Sequence, residues 1–406
     1  MKRICRLENR VQEYAWGSRS WIPELLGRSS PADRPQAELW MGDHPQGPSS
    51  VLLEGEKVPL PELIARYPRE ILGAEVYARF GARLPFLLKI LAAEEPLSIQ
   101  AHPALEQARE GFAREEDLGI ARAGASRNYR DENHKPECLC ALTEFWALCG
   151  FRPVAEMLDL LRILLPAADH ELLDPLEKGA LRLFFAGLIG LETKRRVRLI
   201  RAAVTDATRI AADGGAEALT CTWIVELQKR HPGDFGVLAP AFLNLIRLSP
   251  GQAIALPAGE LHAYLRGLGV ELMSNSDNVL RGGLTRKHVD PAELLRVLRF
   301  DSRDVEVLEA VPHRPGEAAY SSEADEFVLS TIRSSPRRPF LSQGDHGVEI
   351  LFCSAGKGTL RQKESVFRFG RGASFLVPAA GGGYEIDGEA TLYKAAVPAG
   401  PGRAPE

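Results

Sequence analysis

The run LPFLLKILAAEEPLSIQAHP, residues 84–103, decides the fold. Its first part, LPFLLKIL, is an apolar run long enough for a fully buried strand. Its last part, LSIQAHP, alternates: Leu97, Ile99 and Ala101 fall on one side of a strand, and Ser98, Gln100 and His102 on the other, because successive strand side chains point to opposite faces. A solvent-facing strand usually shows Lys, Thr or Glu on its outer face. This one offers a hydroxyl, an amide and an imidazole, a row of ligand and hydrogen-bonding atoms beside a greasy face.

Composition bounds what such a strand belongs to. The chain has 406 residues, 45% hydrophobic and 26% charged, the profile of a globular protein of two or three domains. A net charge of -4 gives no overall cationic field, so neither nucleic acid nor an anionic membrane is expected as the main partner, although a local basic cluster can still hold a small anion. The opening MKRICRLENR has no apolar signal-peptide core, and no run approaches the roughly 18 to 20 apolar residues of a membrane span. A cytoplasmic protein is expected, with its six cysteines as reduced thiols, since they show no paired CxxC pattern.

Outward from residues 84–103 the organisation is legible. Residues 6–151 mix short apolar runs with Gly, Pro and Asp breaks and read as largely β, with helical turns after His102. From about residue 153 the period changes: Met157, Leu161 and Leu164 recur at i, i+4 and i+7, and Leu219, Trp223 and Leu227 at i, i+4 and i+8. The basic run KRRVR, residues 194–198, reads as a solvated helix face. After HPGDFG, residues 231–236, short strands resume, so the helical block is an insertion in a β domain. The expected division is residues 1–152 and 236–304 for that β domain, 153–235 for the helical insertion and 305–406 for a second, smaller β domain ending in a disordered tail. AIALPAGELHAY and SFLVPAAGGGYEI echo each other about a Pro-Ala pair, which suggests two related β-barrels, the second with Gly383 opposite His262. The fold class is mainly β with an α insertion.

Three polar faces stand out. Besides LSIQAHP there is DENHKPE, residues 131–137, where Asn133, Lys135 and Glu137 share a side if the segment is extended, as Pro136 encourages. The third is PAGELHAYL, residues 257–265, where His262 and Tyr264 share one side and Leu261, Ala263 and Leu265 the other. Gln100, His102, Glu137 and His262 make a donor set suited to a divalent ion such as zinc, with positions left for water or substrate. One carboxylate leaves the ion with net positive charge and therefore Lewis acidity. Isolated histidines such as His170, His313 and His346 read as surface or satisfied core residues. GVELMSNSDNVLRGGLTRKHVD, residues 269–290, gathers Glu271, Asp277, Arg281 and Lys287 among small and turn-forming residues. The planar fork of Arg281 suits a phosphate or a developing oxyanion, and Lys287 adds a point charge. Gly282 and Gly283 read equally as a close backbone approach to a ligand or as a tight turn.

Taken in order, VQEYAWGS, AELWMGDHP, LPFLLKIL, LSIQAHP, DENHKPE, HPGDFGVLAP, PAGELHAYL and SDNVLRGGLTRKHVD resemble the type I phosphomannose isomerases, zinc-dependent enzymes of the cupin class. The resemblance implies a cupin, or jelly-roll, catalytic barrel interrupted by a helical domain and followed by a smaller cupin-like domain. It implies one zinc per chain on Gln100, His102, Glu137 and His262, with Arg281 as the catalytic arginine. It further implies interconversion of mannose 6-phosphate and fructose 6-phosphate through a cis-enediol, and so a phosphorylated sugar as the partner. A monomer is expected. His231 and Asp43 depart from the family's usual Tyr and Ala. For the base, Glu271 or Lys135 is favoured over Asp277, with Tyr264 or His134 moving protons on the sugar oxygens; Ser98 and Lys287, with Arg281, are expected on the phosphate and His134 beside the substrate. Two rivals, an iron-dependent dioxygenase and a non-catalytic sugar-binding cupin, predict respectively no phosphate grip and a lost ligand. Neither matches these motifs.

Overall fold

The computed structural model describes residues 1–363 and 365–398; the expected disordered tail lies outside the described residues from 399 onward. The fold is organised by the strand His262–Ser274. From Gly267 to Ser274 it pairs antiparallel with Phe86–Ala93, and from Gly269 to Met273 with Glu137–Ala141 on its other edge. Its first residues pair instead with Phe145–Phe151, and His262 also stands opposite Gln100 of the short strand Ile99–Ala101. One strand thus belongs to two sheets. It turns the corner through a bulge between Tyr264 and Arg266 and at Gly267, whose φ of 141° and whose closeness to Phe145 exclude a side chain.

Period-two alternation assigns the faces. Inside the barrel lie Leu91, Leu139, Phe145, Ala147, Ile254 and Tyr264. The outer face of one sheet, with Ile99, Leu148, Ala263 and Leu265, is covered by helices, chiefly Val154–Leu164, Leu181–Ile189 and Thr193–Asp213. The outer face of the other sheet, with Leu88, Ile90, Val270 and Leu272, packs on Ile350, Phe352, Leu376 and Tyr393 of the C-terminal region. This first barrel is therefore sandwiched between a helical unit and a second β unit, each burying one of its outer faces.

Three details differ from the sequence expectations. Helix Ala218–Arg230 buries Cys221, Ile224 and Leu227, while Leu219 is exposed and Trp223 sits half-buried against Trp146. Its sequence is apolar on several sides, so periodicity alone left the buried stripe ambiguous. The N-terminal strand Cys5–Glu8 pairs with Ser374–Val377 on one edge and Ser50–Leu53 on the other, joining the start of the chain to the C-terminal sheet. The glycines after Arg281 serve packing: a Cβ on Gly283, which has φ of 131°, would press on Asp234 and Gly236 of the HPGDFG loop. In keeping with the internal echo, each Pro-Ala pair follows a four-residue strand, Ala253–Leu256 and Ser374–Val377. KRRVR lies near the start of Thr193–Asp213, and Arg195 donates to Asp169 Oδ1 at 3.0 Å.

Ile90 is fully buried in the cluster shared by the barrel and the C-terminal sheet. Ile90→Ala is expected to destabilise the chain by about 2–5 kcal/mol. Urea unfolding followed by far-ultraviolet dichroism should show one transition at lower midpoint. A second, unshifted transition would mean that the C-terminal unit unfolds independently of the barrel.

Candidate metal centre

Register builds the site. Cys149, His262, Gln100 and Arg281 lie directly opposite one another across four neighbouring strands, so their side chains leave the same face of the sheet. His102 follows one residue after the strand Ile99–Ala101, and Glu137 opens the strand Glu137–Ala141. His102, Glu137 and His262 are buried, with one ligand atom from each all within 4.8 Å of the others. The two imidazole centroids are 5.2 Å apart.

Both rings are oriented by main-chain carbonyls. His102 Nδ1 donates to the Asn278 carbonyl at 2.7 Å, and His262 Nδ1 donates to the Glu260 carbonyl at 2.9 Å. A carbonyl only accepts, so in each neutral ring Nε2 carries the lone pair. These Nε2 atoms lie 3.3 and 3.5 Å from the Glu137 oxygens, yet neither makes a hydrogen bond. Buried imidazole nitrogens are rarely left so, and these two aim at a common point. Two nitrogens, a carboxylate and the half-buried amide of Gln100 fit zinc, and the carbonyl-fixed tautomers are the outer support that metal-bound histidines usually have. Burial, and then Lys135, pushes His102 from 6.5 down to about 4. Burial works against the Glu137 carboxylate, but Lys135 and the imidazoles outweigh it and hold Glu137 well below its usual range. Lys135 Nζ stands 3.2 Å from Glu137 Oε1, and the Tyr264 hydroxyl donates to Oε2 at 3.5 Å.

Further inside the barrel runs a second polar set. Lys89 Nζ binds Glu271 Oε2 at 3.0 Å and stands 3.9 Å from Glu38, whose carboxylate also accepts from Trp40 Nε1 at 2.6 Å. Burial lowers the lysine and raises the glutamate; the two glutamates more than offset this at Lys89, while Glu271 stays above its ordinary value despite Lys89. Lys89 is a buried charge of the barrel interior that the sequence reading passed over. Its signal was a single charge inside an apolar run, since a lysine is almost never buried without a partner.

The remaining expected residues distribute unevenly. Arg281 and Lys287 fall together with Arg130, and no ion pair among the described residues engages any of the three. Desolvation, then the neighbouring cations, lowers both Arg281 and Lys287, the mark of an unneutralised cluster. Ser98 is half-buried just ahead of the strand Ile99–Ala101. Asp277 is engaged by His44 Nε2 at 3.4 Å and Gln46 Nε2 at 2.8 Å. His134 Nε2 lies 2.6 Å from Glu326 of the C-terminal region. Asp43 accepts from the Leu84 amide at 2.9 Å and from Asn275 at 3.1 Å, tying its loop to the start of the Lys89 strand; burial raises it to about 6.

This arrangement can be set beside known proteins. Two family models match the chain: phosphomannose isomerase type I, catalytic domain, over residues 4–154, and mannose-6-phosphate isomerase, cupin domain, over residues 335–397. The chain is 38% identical over 396 residues to the mannose-6-phosphate isomerase of Escherichia coli (strain K12), covering 96% of this chain and 98% of that protein. It is 37% identical over 343 residues to that of Homo sapiens, covering 79% and 78%. Among solved structures, a zinc-bound holo mannose 6-phosphate isomerase matches with a TM-score of 0.89 at 34% identity, over 98% of this chain and 100% of that one. The Salmonella typhimurium enzyme bound to fructose 6-phosphate and zinc matches with the same score, identity and coverage.

The depressed His102 value carries a pH dependence in metal-free protein. Between pH 6.5 and about 4 the unfolded chain takes up a proton that the folded ring refuses, so stability falls as pH drops through that window, by roughly 3 kcal/mol at most. Urea midpoints of chelator-treated protein should fall with this slope, and His102→Asn should flatten it. Equal slopes in both proteins would remove His102 as the source.

Proposed function

We propose the following division of labour from the premise that this chain belongs to the type I phosphomannose isomerases. The protein is a zinc-dependent isomerase that interconverts mannose 6-phosphate and fructose 6-phosphate. The observation that carries the residue assignment is the pair of buried imidazoles whose Nδ1 atoms are held by carbonyls and whose Nε2 atoms converge on Glu137. His102, His262, Glu137 and, from its place opposite His262, Gln100 would hold the zinc. When bound, the ion supplies Lewis-acid polarisation of the sugar oxygens.

Moving the carbonyl from C1 to C2 requires a proton to leave C2 and return at C1, while negative charge develops on oxygen. Arg281 shares a face with Gln100 and His262, so its guanidinium supplies a preorganised counter-charge for that oxygen. Lys135 is the better candidate for moving the carbon-bound proton, because Nζ stands at Glu137 beside the metal cluster. Glu271 is already engaged by Lys89 and is closed from solvent. Lys287, with Arg130 and the hydroxyl of Ser98, would grip the phosphate, since neither cation makes an ion pair among the described residues, although Arg130 lies in the field of Asp277. His134 and Asp277, each engaged elsewhere, would act on the shape of the site and not on the sugar.

Residues 1–152 with 236–304 would form the catalytic unit, apart from the strand Cys5–Glu8 that pairs into the C-terminal sheet, with 153–235 the inserted helical unit and 305–398 the second β unit. No helix among the described residues is long and apolar enough to cross a membrane. Six free, buried cysteines and a dianionic sugar that does not cross membranes unaided support a cytoplasmic setting.

Metal-free protein should lose isomerisation and regain it with one equivalent of zinc; full activity without metal would overturn the assignment. Arg281→Ala should lower kcat by about 10²–10³-fold in a coupled assay with zinc content unchanged. Lys287→Ala should raise KM for the phosphorylated sugar with little change in kcat, and an unchanged KM would remove it from the phosphate site. Lys135→Met should retain zinc yet stop exchange of the C2 proton with deuterated solvent.

A further inference from the structure

Between the strands His262–Ser274 and Leu280–Gly283, residues 275–279 have no regular structure, yet Asn278 within them is fully buried. Its amide is fully engaged. Oδ1 accepts from the main-chain N–H groups of Arg130 at 2.6 Å and Asp131 at 3.2 Å. Nδ2 donates to the carbonyls of Asp131 and Asn133, both at 2.8 Å, with a longer approach of 3.3 Å to Asp131 Oδ1. Asp131 answers from the other side: Oδ2 accepts from the Asp277 amide at 2.7 Å, and Oδ1 from the Ser276 hydroxyl at 2.8 Å and the Asn133 amide at 2.9 Å. Meanwhile the Asn278 carbonyl accepts from His102 Nδ1 at 2.7 Å.

We infer that Asn278 is a positioning residue whose side chain clasps the loop leading to Lys135 and Glu137 while its carbonyl sets the tautomer of His102. One residue therefore keeps two ligand-bearing segments in register. The inference rests on the metal assignment made above and adds to it what holds the ligands in place. The chemistry is specific to a carboxamide, which alone at this size offers two acceptor lone pairs and two donors. An aspartate fills the same volume but presents oxygen to two carbonyls and to the Asp131 carboxylate. An alanine takes the acceptor from two main-chain N–H groups and the donor from the Asp131 carbonyl, and leaves the Asn133 carbonyl only its 3.2 Å approach from the Ser276 hydroxyl. Lys135 lies two positions after Asn133 and Glu137 two positions further on, so a displaced loop moves both.

The test compares full-length wild type with Asn278→Asp, and with Ser276→Ala as a milder loss of one arm of the same clasp. Competition with a chromophoric chelator should show zinc affinity about 10- to 100-fold weaker in Asn278→Asp and weaker by a smaller factor in Ser276→Ala. Amide hydrogen exchange over residues 130–137 should accelerate in the metal-free variants. A lowered unfolding midpoint with zinc affinity and exchange at residues 130–137 unchanged would reduce Asn278 to a merely structural residue and overturn the inference. Wild-type protein that takes up no zinc would refute the metal assignment itself, and the exchange result would still decide the clasp.

Discussion

The bulge between Tyr264 and Arg266 is the constraint on which the site depends. Before it, even-numbered residues face inward: His262 and Tyr264 look into the barrel while Ala263 and Leu265 pack against the helices. After it the parity is reversed, and Leu268, Val270 and Leu272 face the C-terminal sheet, leaving Glu271 and Met273 to the interior. A one-residue change in a strand exchanges its faces. Without the bulge, a strand that points His262 at the metal cluster would turn Glu271 outward into the apolar interface and leave Lys89 buried without its partner. Gly267 makes the accompanying turn possible, and the two sheets of the barrel meet there.

Inside the barrel the charges sort into two kinds. Lys89 lies between Glu271 and Glu38. The C-terminal unit contains a parallel case, with Lys394 Nζ 2.6 Å from Glu317 and 3.3 Å from Glu349, whose other oxygen accepts from the Tyr384 hydroxyl at 2.7 Å. Among the described residues that second set has no imidazole pair beside it. A buried lysine shared between two glutamates is therefore a recurring way of filling these barrels, and removal of the lysine would leave two buried carboxylates uncompensated and be severely destabilising. The imidazoles, with ring nitrogens directed at one carboxylate and not at a hydrogen-bond partner, are what separates the first barrel from the second. The same comparison weighs against Glu271 as the base, because its environment is reproduced where no metal cluster exists.

Much of this was legible in residues 97–103 and 257–265, because side-chain direction in a strand follows from counting by two, and both segments are strands or strand ends. The segment from Asp131 to Pro136 is irregular, so counting by two carried no information about His134, which instead reaches Glu326. Lys89 was visible as one charge in a buried run and was passed over because the run was read for its apolarity. Asn278 left no local signal. Its partners are main-chain groups about 145 residues away, and any polar residue in a turn would have looked the same in sequence. Pairing of the strand Cys5–Glu8 with Ser374–Val377 is hidden for the same reason, since a strand's own sequence does not name its neighbour.

The loop clasped by Asn278 also explains how the two ends of a substrate are kept in proportion. Arg130, at its beginning, belongs to the unneutralised cluster with Arg281 and Lys287, and Lys135 and Glu137, at its end, belong to the metal cluster. Arg281 touches both regions, standing opposite Gln100 while sharing the field of Arg130. Under the proposed assignment, a phosphorylated sugar held by its phosphate at one end and by its first two carbons at the other would span this loop. Reaction requires the second end to sit within a fraction of an ångström of its place, and misplacement of that order is costly in rate. A rigid span between the two clusters lets the affinity for phosphate be spent on orienting the carbons that react. The chain obtains that rigidity from one buried amide and one aspartate bonding to main-chain groups, and the residue of the pair that touches His102 is the neutral one.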